Sequence, residues 1–265
     1  MEFKERLRLF LKGIFMGLAD IIPGVSGGTI ALITGIYERF ITAIESIDPR
    51  NIKGVDLDFL FPVGLGVTLA FLTASHVILF LLDNYASLVY AFFFGLILSS
   101  SVVVYRRKAV VNHKNIISVL LGLFISYMAV SMEYFNLGHG PGVVFVSGIL
   151  AICAMILPGI SGSFVVLMLG QYEYLLGSLK NLVYQDIVIF ISGGIVSLVF
   201  FSRAIKWFLD NHKELTLSFM IGLMLGALKL PVDKIVPGQT VLSNIGIVIS
   251  GAIGLGAVLV LENMK

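Results

Sequence analysis

Pro23-Gly24-Val25-Ser26-Gly27-Gly28-Thr29 interrupts an apolar run with residues that end a helix. Proline lacks a backbone donor and fixes φ, and glycine tolerates conformations closed to other residues. The stretch returns 135 residues later as Pro158-Gly159-Ile160-Ser161-Gly162-Ser163, again inside apolar sequence. At that offset, residues 23–38 match 158–173 at eight of sixteen positions. One such loop would read as a kink. Two in register read as a duplicated site.

Around these loops the chain is too apolar for a soluble domain. Of its 265 residues, 58% are hydrophobic and 13% charged, with a mean hydropathy of +1.00. The class is an all-α polytopic membrane protein, 1–265 forming a single transmembrane domain. The apolar run after the basic N-terminus leads into the Pro-Gly motif rather than a small-residue cleavage site, so no cleaved signal peptide is expected. Cys153 is the only cysteine, which argues against a disulfide framework or a thiolate metal cluster. With no P-loop, zinc spacing or Rossmann fingerprint, neither metal nor organic cofactor is expected, and no nucleic-acid partner.

The segments repeat in order. Residues 9–22 are apolar and too short to span. The first loop follows, then an apolar piece leaving through Tyr37-Glu38-Arg39. Three longer segments come next, near 59–82, 87–105 and 115–132, with Pro62 placed at the start of the first. The second half runs 143–157, the second loop, a piece ending at Tyr172-Glu173, then 187–209, 215–228 and 241–261. Leu82-Asp83-Asn84 aligns with Leu209-Asp210-Asn211, and Gly95 with Gly222, at offset 127; Asn115 and Gly122 align with Asn244 and Gly251 at offset 129. The whole chain therefore reads as one unit used twice, 1–133 and 143–265.

If each Pro-Gly element is a re-entrant hairpin, each half crosses the membrane three times and the second half is inverted. With both termini in the cytoplasm, fifteen cations fall inside: Lys4, Arg6, Arg8, Lys12, Arg39, Arg50, Lys53, Arg106, Arg107, Lys108, Lys114, Arg203, Lys206, Lys213 and Lys265. Only Lys180, Lys229 and Lys234 fall outside, a strong positive-inside bias. A single broken spanning helix would degrade that bias, so the hairpin is preferred.

Irregular backbone at membrane depth is tolerated where protein buries it or where it lines a wet cavity. Here it would present N–H groups at the start of each following half-helix, and these with the helix dipole favour an anion. The candidate phosphate-binding residues are Gly24, Ser26, Gly27, Gly28, Thr29, Gly159, Ser161, Gly162 and Ser163, with Arg39, Arg203 and Lys206 as candidate cations. The bland alternative is a pair of packing kinks. Asp20, Glu38 and Glu173 are the nearest acids and candidates to handle H⁺ or Na⁺. Glu38 and Glu173 are otherwise interfacial carboxylates, and Asp20, matched by Met155, is otherwise a local cap or a contact to Lys12. A serine hydrolase would need His76 beside Ser26. No catalytic residue is assigned and the chain is not expected to be an enzyme.

Gly17-Leu18-Ala19-Asp20-Ile21-Ile22-Pro23-Gly24-Val25-Ser26-Gly27-Gly28-Thr29, followed by Gly35-Ile36-Tyr37-Glu38, resembles the signature of the polyprenyl-phosphate transporters (PopT) of prokaryotes. The resemblance covers essentially the full length, and Pro158 to Ser163 resembles the family's second motif. It implies a transporter or flippase of the plasma membrane. Such a protein returns undecaprenyl phosphate, or a related carrier lipid, from the outer to the cytoplasmic leaflet for reuse in cell-wall or glycan synthesis. It also implies re-entrant hairpins shared with the DedA membrane proteins. The second motif departs from the first, with Ser163 for Gly28 and Phe164 for Thr29. The competing function is a transporter or channel for a soluble anion. A dimer is left open.

Overall fold

The structure, a computed structural model, describes residues 2–22, 25–47, 54–108, 112–132, 137–237 and 240–262. Among them it forms helices and no strand. Pro23, Gly24, Arg50, Lys53, Lys265 and, in the two links, residues 109–111 and 133–136 lie outside the described residues.

Each Pro-Gly stretch ends one helix and is followed by two short ones. The first set is α1 (Phe3–Ile21), α2 (Gly27–Ile33) and α3 (Tyr37–Glu45). The residue before proline is driven out of the helical region, and Ile22 (ψ 122°) is extended. So is Leu157 (ψ 129°), before Pro158. Ser26 and Ser161 are extended N-caps of the helices that follow. One boundary differs from the sequence expectation. α1 begins at Phe3 and runs 19 residues, because Lys4-Glu5-Arg6-Leu7-Arg8 are good helix formers with no breaker among them. It is about 28 Å long rather than the ~21 Å of residues 9–22.

α4 (Leu57–Lys108) and α5 (His113–Ser131) complete the first half. α4 covers two of the expected segments, joined at Tyr85 (φ −136°, ψ 34°). Pro62, expected at a segment start, lies beyond the first turn of α4.

The second half has α6 (Pro141–Ile156), α7 (Gly162–Met168), α8 (Tyr172–Lys180), α9 (Tyr184–Asn211), α10 (Lys213–Ala227), α11 (Lys229–Lys234) and α12 (Val241–Glu262). His212, 127 positions after Tyr85, takes nearly the same conformation (φ −138°, ψ 46°) between α9 and α10. Five helices among the described residues are long and apolar enough to cross a membrane. Large apolar side chains such as Leu72, Ile117, Phe200 and Val248 stay exposed on them, as a lipid-facing surface requires.

Glycines set the close helix contacts, and they do so twice. A Cβ on Gly13 of α1 would meet the Val63 carbonyl of α4, and one on Gly66 the Phe10 carbonyl. In the second half, Gly148 of α6 faces the Phe190 carbonyl of α9, and Gly193 the Phe145 carbonyl. The last helix of each half crosses to the other half. Gly122 of α5 lies against Phe219 of α10, and Gly254 of α12 against Phe92 of α4. Lipid tails are as apolar as the side chains, so no hydrophobic drive brings membrane helices together, and close backbone packing of this kind contributes to their association. All of α2 is buried, among Met16, Ile97, Met220, Met224 and Val258. Val25, Ser26 and the start of α2 are therefore buried inside the bundle.

Candidate functional site

α1 holds the half-helix α2 at both ends. The Asp20 carboxylate accepts the Gly27 N–H at 2.6 Å, beside the positive end of α2. Lys12, eight residues earlier and so about two turns back on a similar face, donates to the Thr34 carbonyl at 3.0 Å. Thr34 caps the negative end of α2, so both charges oppose the helix dipole favourably. Ser26 Oγ accepts from Gly28 N–H at 3.1 Å, and the Ser26 carbonyl accepts from Thr29 N–H at 2.9 Å. The amides of Gly27, Gly28 and Thr29, three of those that the sequence suggested for an anion, are thus bonded to the chain itself. The space beside Gly27 holds the Asp20 carboxylate.

The second loop is held differently. Positions matching Lys12 and Asp20 are Ser147 and Met155, which bring no charge. Ser161 Oγ makes no capping bond and pairs instead with Ser163 Oγ at 2.8 Å. The amides of Gly162, Ser163 and Phe164 have no acceptor among the described residues. Ser163 is half-buried, whereas Ser26 and Thr29 are fully buried. Gly159 has φ 91°, and a Cβ there would also meet the Met224 amide nitrogen at 2.7 Å. Gly162 is tight too: its Cβ would meet Met155 and the Ala151 carbonyl.

The two loops touch. Gly159 N–H donates to Thr29 Oγ1 at 3.0 Å. Ser26 Oγ donates to the Leu157 carbonyl at 3.2 Å, and Tyr37 Oη to the Ile156 carbonyl at 3.0 Å. These last two carbonyls lie at the end of α6, where helical partners run out. The hydroxyls of the first hairpin therefore complete the helix end of the second.

A family model described as undecaprenyl phosphate translocase-like matches residues 16–247, which include both loops. The chain belongs to that family. It is similar to a polyprenyl-phosphate transporter of Vibrio cholerae, 37% identical over 252 residues, covering 89% of this chain and 80% of that protein. It is also similar to a polyprenyl-phosphate transporter of Staphylococcus aureus, 32% identical over 238 residues, covering 82% and 83%. No solved structure matches the chain with significance. These names are transporters', not enzymes'. Consistent with them, Ser26 Oγ is bonded to backbone groups, and His76 is exposed on α4 with no bond to it.

In this translocase-like chain, the remaining candidate residues are not joined to the loops. Arg39 is exposed on α3 and bonds Asp56 at 2.9 Å and Glu5 at 3.4 Å, with its guanidinium over the Phe59 ring. The Asp56 hydrogen bond holds Arg39 above its ordinary pKa, so it stays charged. Lys206 is tied to Asp210 at 2.5 Å on α9, and Arg203 is exposed one turn earlier. Glu38 is paired with Lys213 at 2.5 Å, while Glu173 is exposed. Of the three acids, only Asp20 reaches a loop. Sequence reasoning missed Tyr37 and Lys12 as loop partners. Lys12 carried a signal, a lysine two turns before Asp20 inside apolar sequence, but its acceptor lies 22 residues away. Gln171 was also missed. It is fully buried and bonds the Gly138 carbonyl and His139, whose ring stacks on Tyr174.

Proposed function

We propose that the chain carries a polyprenyl phosphate, undecaprenyl phosphate or a close relative, from the outer to the cytoplasmic leaflet for reuse in envelope glycan synthesis. The phosphate is held where the two Pro-Gly-x-Ser-Gly loops meet. The observation that carries this is the hydrogen-bonded contact of the loops, Gly159 to Thr29 and Ser26 to Leu157. It makes one locus from two copies of the motif, as a site reached alternately from each side needs. The family and both relatives support the substrate class.

In this conformation the second loop is the receptive one. The Gly162, Ser163 and Phe164 amides have no acceptor among the described residues, and the mutually bonded Ser161 and Ser163 hydroxyls keep one proton to donate, while Asp20 occupies the matching position at the first. A phosphate reaching the first loop must displace that carboxylate. Asp20 is therefore the residue to which this reading assigns any coupling to H⁺ or Na⁺. The recess at α1 and α4, about 280 Å³, is lined by Phe3, Leu7, Phe10, Phe61 and Leu65 beside Arg6 and Asp58. Such a lining suits a lipid better than a soluble anion.

The halves are read as inverted repeats with both termini in the cytoplasm. The recurring helix order and the twice-used glycine contacts support the duplication, and the lysine and arginine distribution supports the orientation. The test reconstitutes the purified chain in vesicles carrying a polyprenyl phosphate or the neutral polyprenol in one leaflet. Transbilayer movement of the phosphate, well above that of the alcohol, is expected. Equal movement of both, or movement of inorganic phosphate instead, would overturn the reading. Cysteines at His113 and Gly138, labelled from each side, check the orientation: His113 should react from the cytoplasm and Gly138 from outside.

A further inference from the structure

Where the end of α5, the length of α7 and α11 come together, the surface opens into a recess of about 500 Å³. Met132, Phe164, Met168 and Leu230 supply apolar walls, and Asp233 and Lys234 stand at the rim. The rim charges do not balance. Asp233 is held by Lys229, whose ammonium also lies 5.6 Å from the centre of the Tyr127 ring. Lys234 is exposed and has no acidic partner among the described residues. Two of the three lysines that the positive-inside count places outside thus gather at this one mouth.

The recess also leads somewhere. Phe164 and Met168 are one turn apart on α7, and Ser161 precedes Phe164 by three residues, so the three share a stripe of the helix. The apolar wall therefore runs from the rim to the end of α7 that carries the second loop, whose Ser163 is half-buried rather than sealed. A soluble anion would gain nothing from such a wall. A neutral lipid would gain nothing from an unpaired ammonium. An amphiphile with an anionic head uses both.

The geometry points to a loading subsite for a lipid monophosphate at this mouth. Lys234 meets the phosphate, and Phe164, Met168 and Leu230 receive the first apolar units of the chain before the head passes to the second loop. This rests on the reading that the protein moves a polyprenyl phosphate.

The experiment measures binding of a polyprenyl phosphate, and of the polyprenol of equal length, to the full chain in nanodiscs. Lys234→Glu should weaken phosphate binding about tenfold and leave the polyprenol unchanged, because it reverses one charge-assisted contact. Lys234→Arg should keep binding near wild type. Phe164→Ala should weaken both ligands alike. Lys180→Glu, on α8 and away from the recess lining, should change neither. A folded Lys234→Glu protein that binds the phosphate as wild type does, or that loses phosphate and alcohol equally, overturns the subsite. Failure of the wild-type protein to prefer phosphate over alcohol would instead overturn the proposed function.

Discussion

The two hairpins share their loop motif but not their supports. The first half-helix, α2, is clamped between Asp20 and Lys12, sealed in the core, and bonded through Ser26 to the end of α6. The second, α7, has neutral Met155 and Ser147 at the matching positions, and the amides of Gly162, Ser163 and Phe164 have no acceptor among the described residues. The motif is thus a backbone device that breaks a helix and restarts it. What surrounds each copy decides whether the restarted end is satisfied from within or left for a ligand. On the proposed reading, in which the loops hold the phosphate, a copy already holding a carboxylate suits a transporter, because the substrate must be released as well as bound.

Substitutions can break this contrast or sharpen it. The largest effect is expected at Gly159. Gly159→Ala adds left-handed strain to a contact with the α10 backbone, and together these should cost about 3 kcal/mol or more. Thermal unfolding in detergent should show a protein that barely folds. Gly138, also at positive φ but with open space beside it, should lose only about 1–2 kcal/mol as alanine.

Next is the clamp. Lys12→Met removes a charged donor from the buried Thr34 carbonyl and should cost about 1.5–3 kcal/mol. Ser147→Ala, the matched change in the second hairpin, removes a bond to its own helix at Val143 and should cost under about 1 kcal/mol. Equal losses in the unfolding midpoint would show that the hairpins are held alike.

Asp20→Ala should cost about 1–3 kcal/mol by leaving the Gly27 amide unpaired, and Asp20→Asn less than half of that, because the amide oxygen still accepts. An Asp20→Ala protein as stable as wild type would remove the carboxylate from the account of the first loop.

The smallest effect is the most discriminating. Ser26→Ala should cost about 0.5–2 kcal/mol as a lost N-cap, without changing the preference for phosphate over alcohol. The double change Ser161→Ala with Ser163→Ala should leave the unfolding midpoint within about 0.5 kcal/mol, because neither hydroxyl caps the helix, and should reduce that preference. The opposite pattern would exchange the roles of the loops.

Much of the architecture was legible in the chain. Apolar run lengths, Pro23 and Pro158 as helix breakers, and the match at offsets 127 to 135 are local or self-referential signals, and they lead to the helical order that the structure has. The joint at Tyr85 and its twin at His212 was visible as Leu-Asp-Asn in both halves. Helix boundaries were less legible. Charged residues with high helix propensity extended α1 beyond its apolar core, and α4 runs on through the non-helical joint at Tyr85.

The site itself was set by tertiary structure. Sequence singled out the glycines and serines, since few other residues fit a broken helix in a membrane. It could not say which amides would be left over. That depends on Asp20 folding back onto Gly27, on Lys12 reaching Thr34, and on bonds from Ser26 to Leu157 and from Gly159 to Thr29, which join residues about 130 positions apart. Periodicity and breakers act within a few residues, so a chain displays them. A hydrogen bond between loops is decided by where packing puts the loops, and no local pattern records that.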